Sequence, residues 1–167
     1  MILSAIRNMR LRQASAAPAP MRSDGDLVVA SYNIHKCVGT DGRRDPDRIV
    51  DVIGEIGPDI IALQEVDTRF GERKGLLNLR RLDQDCGLVP VQLSRISAAH
   101  GWHGNIVLVR RHMVSAVHEF HLPGLEPRGA LLADIDFVDT PGIRIIAAHL
   151  GLLRRSRHQQ AEKLVEI

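Results

Sequence analysis

Three stretches of this chain read as buried strands, and each ends in a side chain able to bind a cation or move a proton. The clearest is PDIIALQEVD, residues 58–67, where an apolar run stops at Gln64 and Glu65. The run is β-branched and bounded by Pro58, the pattern of a strand buried on both faces. A carboxylate just past the end of such a strand is well placed to bind a hard cation in a cleft. Upstream, LVVASYN ends at Asn33, and downstream, IRIIAAH ends at His149. Any one of these polar residues alone reads as the first residue of a loop. Three together are hard to explain by core packing.

The chain has 167 residues, which suits one domain. Aromatic residues make up only 3 % of it, so its core is built of Val, Ile, Leu and Ala. A formal charge of +2 gives no global basic field of the kind that gathers nucleic acid. Tyr32, Phe70, Trp102, Phe120 and Phe137 are scattered rather than arrayed for base stacking. Lys36, Lys74 and Lys163 are the only lysines. Arginine forks suit phosphate, though an arginine bias also follows from genome base composition. Cys37 and Cys86 form neither a disulfide framework nor a zinc spacing, so a reduced, cytoplasmic compartment is expected. No apolar run approaches the ~18 residues of a transmembrane helix. The opening segment lacks the ~7–15-residue apolar core of a signal peptide. Residues 1–25 read as a flexible tail with an Ala/Pro linker at 14–20, Met21 is an alternative start, and residues 26–167 form the domain.

Along the domain, a strand is expected at 27–32 and a glycine-punctuated loop at 35–45. Asp45 and Pro46 open a helix whose buried stripe is Ile49, Val50, Ile53 and Ile56, and Gly57-Pro58 stops it. A short helix at 76–85 and a short strand at 87–93 follow. The polar loop 96–104 carries His100, Trp102 and His103. Apolar or alternating runs at 105–109, 113–120 and 130–138 come next, with Arg110 and Arg111 read as a tight hairpin between the first two. A strand at 143–148 and a helix at 154–167 complete the chain. One early helix followed by many strands indicates an α+β fold, a mixed β-sheet with helices on one face.

Taken together, SYNIHKCVGTDGRRD, PDIIALQEVD, HGNIVLVRR, EPRGALLADID and AAHLGLLRRSRHQQ resemble the endonuclease/exonuclease/phosphatase family, which has the deoxyribonuclease-I-like fold. The resemblance spans residues 27–167, in matching order and spacing, and is greatest to a bacterial branch of metal-dependent hydrolases. It implies an α/β/β/α sandwich, a divalent cation (Mg²⁺ or Mn²⁺) and hydrolysis of a phosphoester. By position it implies Glu65 as the metal-binding carboxylate, Asn33 as the amide near the metal, and His149 as the residue that polarises the scissile phosphate. Asn105 falls at the family's GNA-type strand start, Arg128 in its RGAL-type segment, and Arg157 and Gln160 in its RxxQ helix segment. These are the substrate-side candidates. The chemistry agrees: Mg²⁺ prefers oxygen ligands and keeps several waters, and a strand-end histidine can donate a hydrogen bond or proton to a phosphate.

The sequence departs from the family in one large respect. No Gly-Asp-Phe-Asn and no Ser-Asp-His occurs anywhere in it. In the family, those segments supply the Asp and His that activate water and complete the metal site. The chain therefore reads as the first half of the sandwich, incomplete or inactive as it stands. It is read as a truncated gene product, a partial sequence or one half of a split protein. The alternative is a non-catalytic remnant that self-associates through an uncovered sheet. The substrate class stays open among nucleic acid, phospholipid headgroup and small phosphate.

Overall fold

Aliphatic, β-branched runs build seven strands in two sheets across the residues that the structure, a computed structural model, describes: 26–68, 73–93, 100–110, 114–136 and 142–167. The expected tail, residues 1–25, lies outside them. The first sheet holds β1 (Val29–Asn33), β2 (Ile60–Gln64), β3 (Leu88–Pro90) and β4 (Asn105–Arg110) in the order β1-β2-β4-β3. β1 and β2 are parallel and the other pairs antiparallel, so the sheet is mixed. The second sheet is an antiparallel meander of β5 (Val114–Leu122), β6 (Arg128–Ile135) and β7 (Ile143–Ala148).

Helix α1 (Pro46–Ile56) begins where the Asp45 carboxylate accepts from the Arg48 backbone N–H at 3.0 Å, with Pro46 in the first turn. It ends at Gly57, whose φ of +58° is the left-handed cap that glycine tolerates best. Ile49, Val50 and Ile53 bury its inner face against Ile61, Leu63 and Leu108 of the first sheet. Each such side chain contributes roughly 1.5–3 kcal/mol, far more than helix propensity does. Helix α2 (Leu79–Cys86), capped by the Asn78 side chain, packs in the same cluster through Leu82. The mixed sheet thus carries both helices on one face. Helix α3 (Arg154–Val165) is separate and mostly exposed, with Ser156 and Gln160 buried.

The other face of the first sheet is covered by the chain's own second sheet. Ile60, Val107 and Val109 pack on Leu131, Ala133, Ile135 and Ala147. This corrects the expectation of a bare face. What stays open is the side where edge strands β1 and β7 meet, a cavity of about 340 Å³ lined by Val29, Ser31, Ala62, Gln64 and Ile146 among others. The hairpin expected at Arg110 and Arg111 is also corrected. β4 pairs with β2 and β3, whereas β5 pairs with β6, so the chain crosses there from one sheet to the other. Among the described residues no helix is long and apolar enough to cross a membrane.

Candidate active site

Strand alternation decides which way the strand ends face. On the first sheet, Ala62, Val107 and Ile60 point into the gap between the sheets. Period two then brings Asn33, Gln64 and Asn105 to that same side. These three are direct register partners, Asn33 with Gln64 and Gln64 with Asn105. On the second sheet, Val117, Leu131 and Ala147 face the gap. Two residues on from Leu131 and Ala147 come Gly129 and His149, and four on from Val117 comes His121, on the same face by period two. His121 pairs with Gly129, and continuing the β6–β7 register by one residue sets Gly129 opposite His149. Two polar rows therefore face each other at one edge of the sandwich. A hydrogen bond from Asn105 Nδ2 to the Gly129 carbonyl, at 3.1 Å, joins them.

Glu65 reaches this edge by a backbone irregularity. Simple alternation after Ile61 and Leu63 would send its side chain toward the helices. Its φ of +58° breaks the alternation, and Asn33 Nδ2 donates to Glu65 Oε1 at 3.2 Å. The Asn33 Oδ1 accepts from the His35 backbone N–H at 3.0 Å. Among the described residues, the non-glycine positions with positive φ are His35, Lys36, Cys37, Glu65, Arg73 and His103. They belong to loops gathered at this edge, and left-handed non-glycine residues cost of order 1–3 kcal/mol each. No sequence pattern announced this concentration of strain.

On the second sheet, Arg128 Nη1 lies 3.2 Å from His149 Nδ1. A guanidinium can only donate, so Nδ1 accepts and the ring proton sits on Nε2. Arg128 is itself held by Glu126, 2.8 Å from Nη2. Its Nε, like Asn105 Oδ1, is buried without a hydrogen-bond partner among the described residues. The Arg128 Nε–H suits a water or a substrate oxygen, and the Asn105 oxygen, an acceptor, suits a water that donates to it.

The remaining candidates behave differently. Gln160 is fully buried; its Oε1 accepts from Gly151 N at 2.8 Å and its Nε2 donates to the Pro123 carbonyl at 2.9 Å. It fastens two loops together. Arg157 donates through Nη1 to the Leu152 carbonyl at the start of its own helix. Asp67 is a loop residue, as expected, but a buried one, paired with Arg73 at 3.0 Å. Asp134 pairs with Arg144 at 2.7 Å, near the far end of β7 from His149. Gln64, Trp102, His103 and His121 were not singled out as site residues. The signal for Gln64 and His121 was the alternation of β2 and β5, legible only once the sheet faces are known, whereas Trp102 and His103 lie in the loop before β4, which carries no such period.

The donor set at Glu65 and Asn33 is hard oxygen. Among the described residues no three His, Cys, Asp or Glu side chains gather as a metal cluster. One carboxylate with one amide fits a cation that keeps most of its water, such as Mg²⁺, and not a zinc-type site.

A family model for the endonuclease/exonuclease/phosphatase family matches residues 30–166. The chain belongs to that family. Among solved structures it is similar to an endonuclease/exonuclease/phosphatase from Beutenbergia cavernae, at 25 % identity and TM-score 0.61, covering 84 % of this chain and 43 % of that one. Truncated TDP2 from Caenorhabditis elegans shares the fold at 18 % identity and TM-score 0.56, covering 84 % and 52 % of the two chains. A family protein from Leptotrichia buccalis does so at 16 % identity and TM-score 0.56, covering 84 % and 61 %. The chain thus spans between 43 % and 61 % of the length of these relatives. No curated protein matches it significantly.

Proposed function

We propose that this edge of the sandwich holds a divalent cation and a phosphoester, and that the chain carries the metal- and phosphate-holding part of a divalent-metal-dependent phosphoester hydrolase. The observation that carries the reading is the convergence of Asn33, Glu65, Asn105, Arg128 and His149 at the strand ends along one edge of the sandwich. Glu65, with Asn33 beside it, would hold Mg²⁺ or Mn²⁺. When bound, the cation neutralises charge developing on the phosphoryl group. His149 donates from Nε2 to a phosphate oxygen, its tautomer fixed by Arg128 and, through Arg128, by Glu126. Arg128 brings positive charge to the same phosphate, and Asn105 fixes the spacing of the two sheets beneath it. Arg157 is the weakest substrate-side candidate, because its guanidinium already serves the Leu152 carbonyl.

The family's water-activating motifs do not occur in these residues. A general base contributes typically ~10²–10⁴-fold, so the 167-residue chain should bind metal and phosphoester while turning over slowly or not at all. A nucleic-acid substrate has one precedent in the family fold, TDP2 from Danio rerio with a single-stranded DNA product. Pairing with another chain would use the open β1–β7 side, and gel filtration with light scattering reads it out.

Calorimetry with Mn²⁺ and with bis-p-nitrophenyl phosphate tests the site. Binding of both is expected, with Glu65→Gln losing the metal and His149→Ala weakening the phosphoester. Metal binding unchanged in Glu65→Gln would remove the assignment.

A further inference from the structure

Beside His149 lies a second histidine with its own hydrogen-bonded support, and the loop 100–104 builds it into the site wall. His121, Gly129 and His149 form one row on the inner face of the second sheet. Gly129 has no side chain, and the space above it is filled by Trp102 and His103: a Cβ there would lie 2.6 Å from the indole and 2.7 Å from the imidazole. Trp102 is anchored by its indole N–H, which donates to the Phe120 carbonyl at 2.9 Å. The rings of Trp102, His103 and His121 meet edge to face, with centroids 4.9–5.2 Å apart.

A chain of polar contacts runs through this cluster. Asp67 accepts from Arg73 Nε at 3.0 Å. Arg73 Nη1 lies 3.2 Å from His103 Nδ1, and His103 Nε2 lies 3.2 Å from His121 Nδ1. Arginine can only donate. His103 Nδ1 therefore accepts, its proton sits on Nε2, and that proton is donated to His121 Nδ1. His121 must then carry its own proton on Nε2. The Pro127 carbonyl, also 3.2 Å from His103 Nδ1, would favour the opposite tautomer, but a proton there would face the guanidinium N–H. Burial, then Arg73 and His121, depress the His103 pKa, which keeps that ring neutral.

We propose that His121 is a substrate-contacting residue, donating from Nε2 to a second anionic group of an extended phosphoester, and that His103 and Arg73 are positioning residues that fix its tautomer. The proposal rests on the phosphoester reading above. Two strand spacings separate His121 from His149, so their backbones lie ~10 Å apart. That offset suits a neighbouring phosphate better than a second contact to the scissile one.

Long-range ¹H–¹⁵N correlation spectra of the histidine rings test this on the full chain with Mg²⁺. His103 and His121 should both appear as Nε2–H tautomers, and Arg73→Gln should let His103 populate the other form. A trinucleotide, with consecutive phosphodiesters, should shift both His149 and His121. Bis-p-nitrophenyl phosphate, with one, should shift His149 alone. His121→Gln should weaken trinucleotide binding about tenfold and leave the single diester unchanged. An Nδ1–H tautomer at His121, or a trinucleotide that moves His149 and not His121, overturns the proposal while the phosphoester reading stands. If neither probe moves His149, both fall.

Discussion

Glu65 carries the tension between stability and function at its sharpest. Its left-handed backbone, φ +58°, is unfavourable for any residue with a Cβ. Glu65→Gly should raise the stability of the fold by about 1 kcal/mol, read as a higher urea midpoint, while abolishing Mn²⁺ binding. A loss of stability instead would show that the carboxylate supports the fold through Asn33. Gly129 shows the opposite constraint. Gly129→Ala would drive a methyl into Trp102 and His103, and overpacking of this kind costs ~1–3 kcal/mol. Trp102 is the only tryptophan, so its fluorescence should shift as the loop is displaced. Unchanged emission would mean that the loop adapts without moving the ring. At this scale the sequence pointed to Asn33, Glu65 and His149 as candidates, because strand ends are visible in a pattern. It hid the backbone conformation of Glu65, because positive φ at a non-glycine residue is imposed by its surroundings.

Among the elements, α3 illustrates how a motif can be read correctly as local structure and still have two uses. Its Gln160 belongs to the segment that suggested substrate contact, yet both ends of its amide hold loop backbone. Gln160→Ala leaves the Gly151 N–H and the Pro123 carbonyl without that partner. The expected cost is about 2–4 kcal/mol in urea unfolding, with phosphoester affinity falling through the loops if at all. Intact stability with lost affinity would instead make Gln160 a substrate ligand. Helix α1 was legible from Asp45, Pro46 and Gly57, since caps and stops act within a few residues. The crossing after β4 was not. Two adjacent strands joined by a short arginine-rich segment look like a hairpin whether or not they pair. Only the pairing of β4 with β2, and of β5 with β6, shows the change of sheet.

The whole molecule should lose stability in mild acid, for a reason set by its packing. His100 and His103 are both depressed below the usual histidine pKa, His100 by burial and His103 by burial, Arg73 and His121. The unfolded chain therefore takes up these protons first. Their contribution is complete above about pH 6.5 and is lost as the pH falls through the lower folded-state values. The urea midpoint should drop between about pH 7 and about pH 5, and His103→Gln should make that drop shallower. A midpoint that is flat over this range would show both rings to be solvated in the folded state. The sequence by itself determined the class of the fold and offered strand-end candidates for the site. Apolar period, helix caps and strand-end polar residues are local, and they are written within a few residues of where they act. The tertiary structure decided the rest. It set β5–β7 against the first sheet, so that the face expected to be bare became core. It aligned Asn33, Gln64 and Asn105 against His121, Gly129 and His149, and turned Glu65 out of its alternation to meet them. Register and sheet partner depend on contacts between residues far apart in the chain, where side-chain burial selects one pairing among many that the local pattern permits equally.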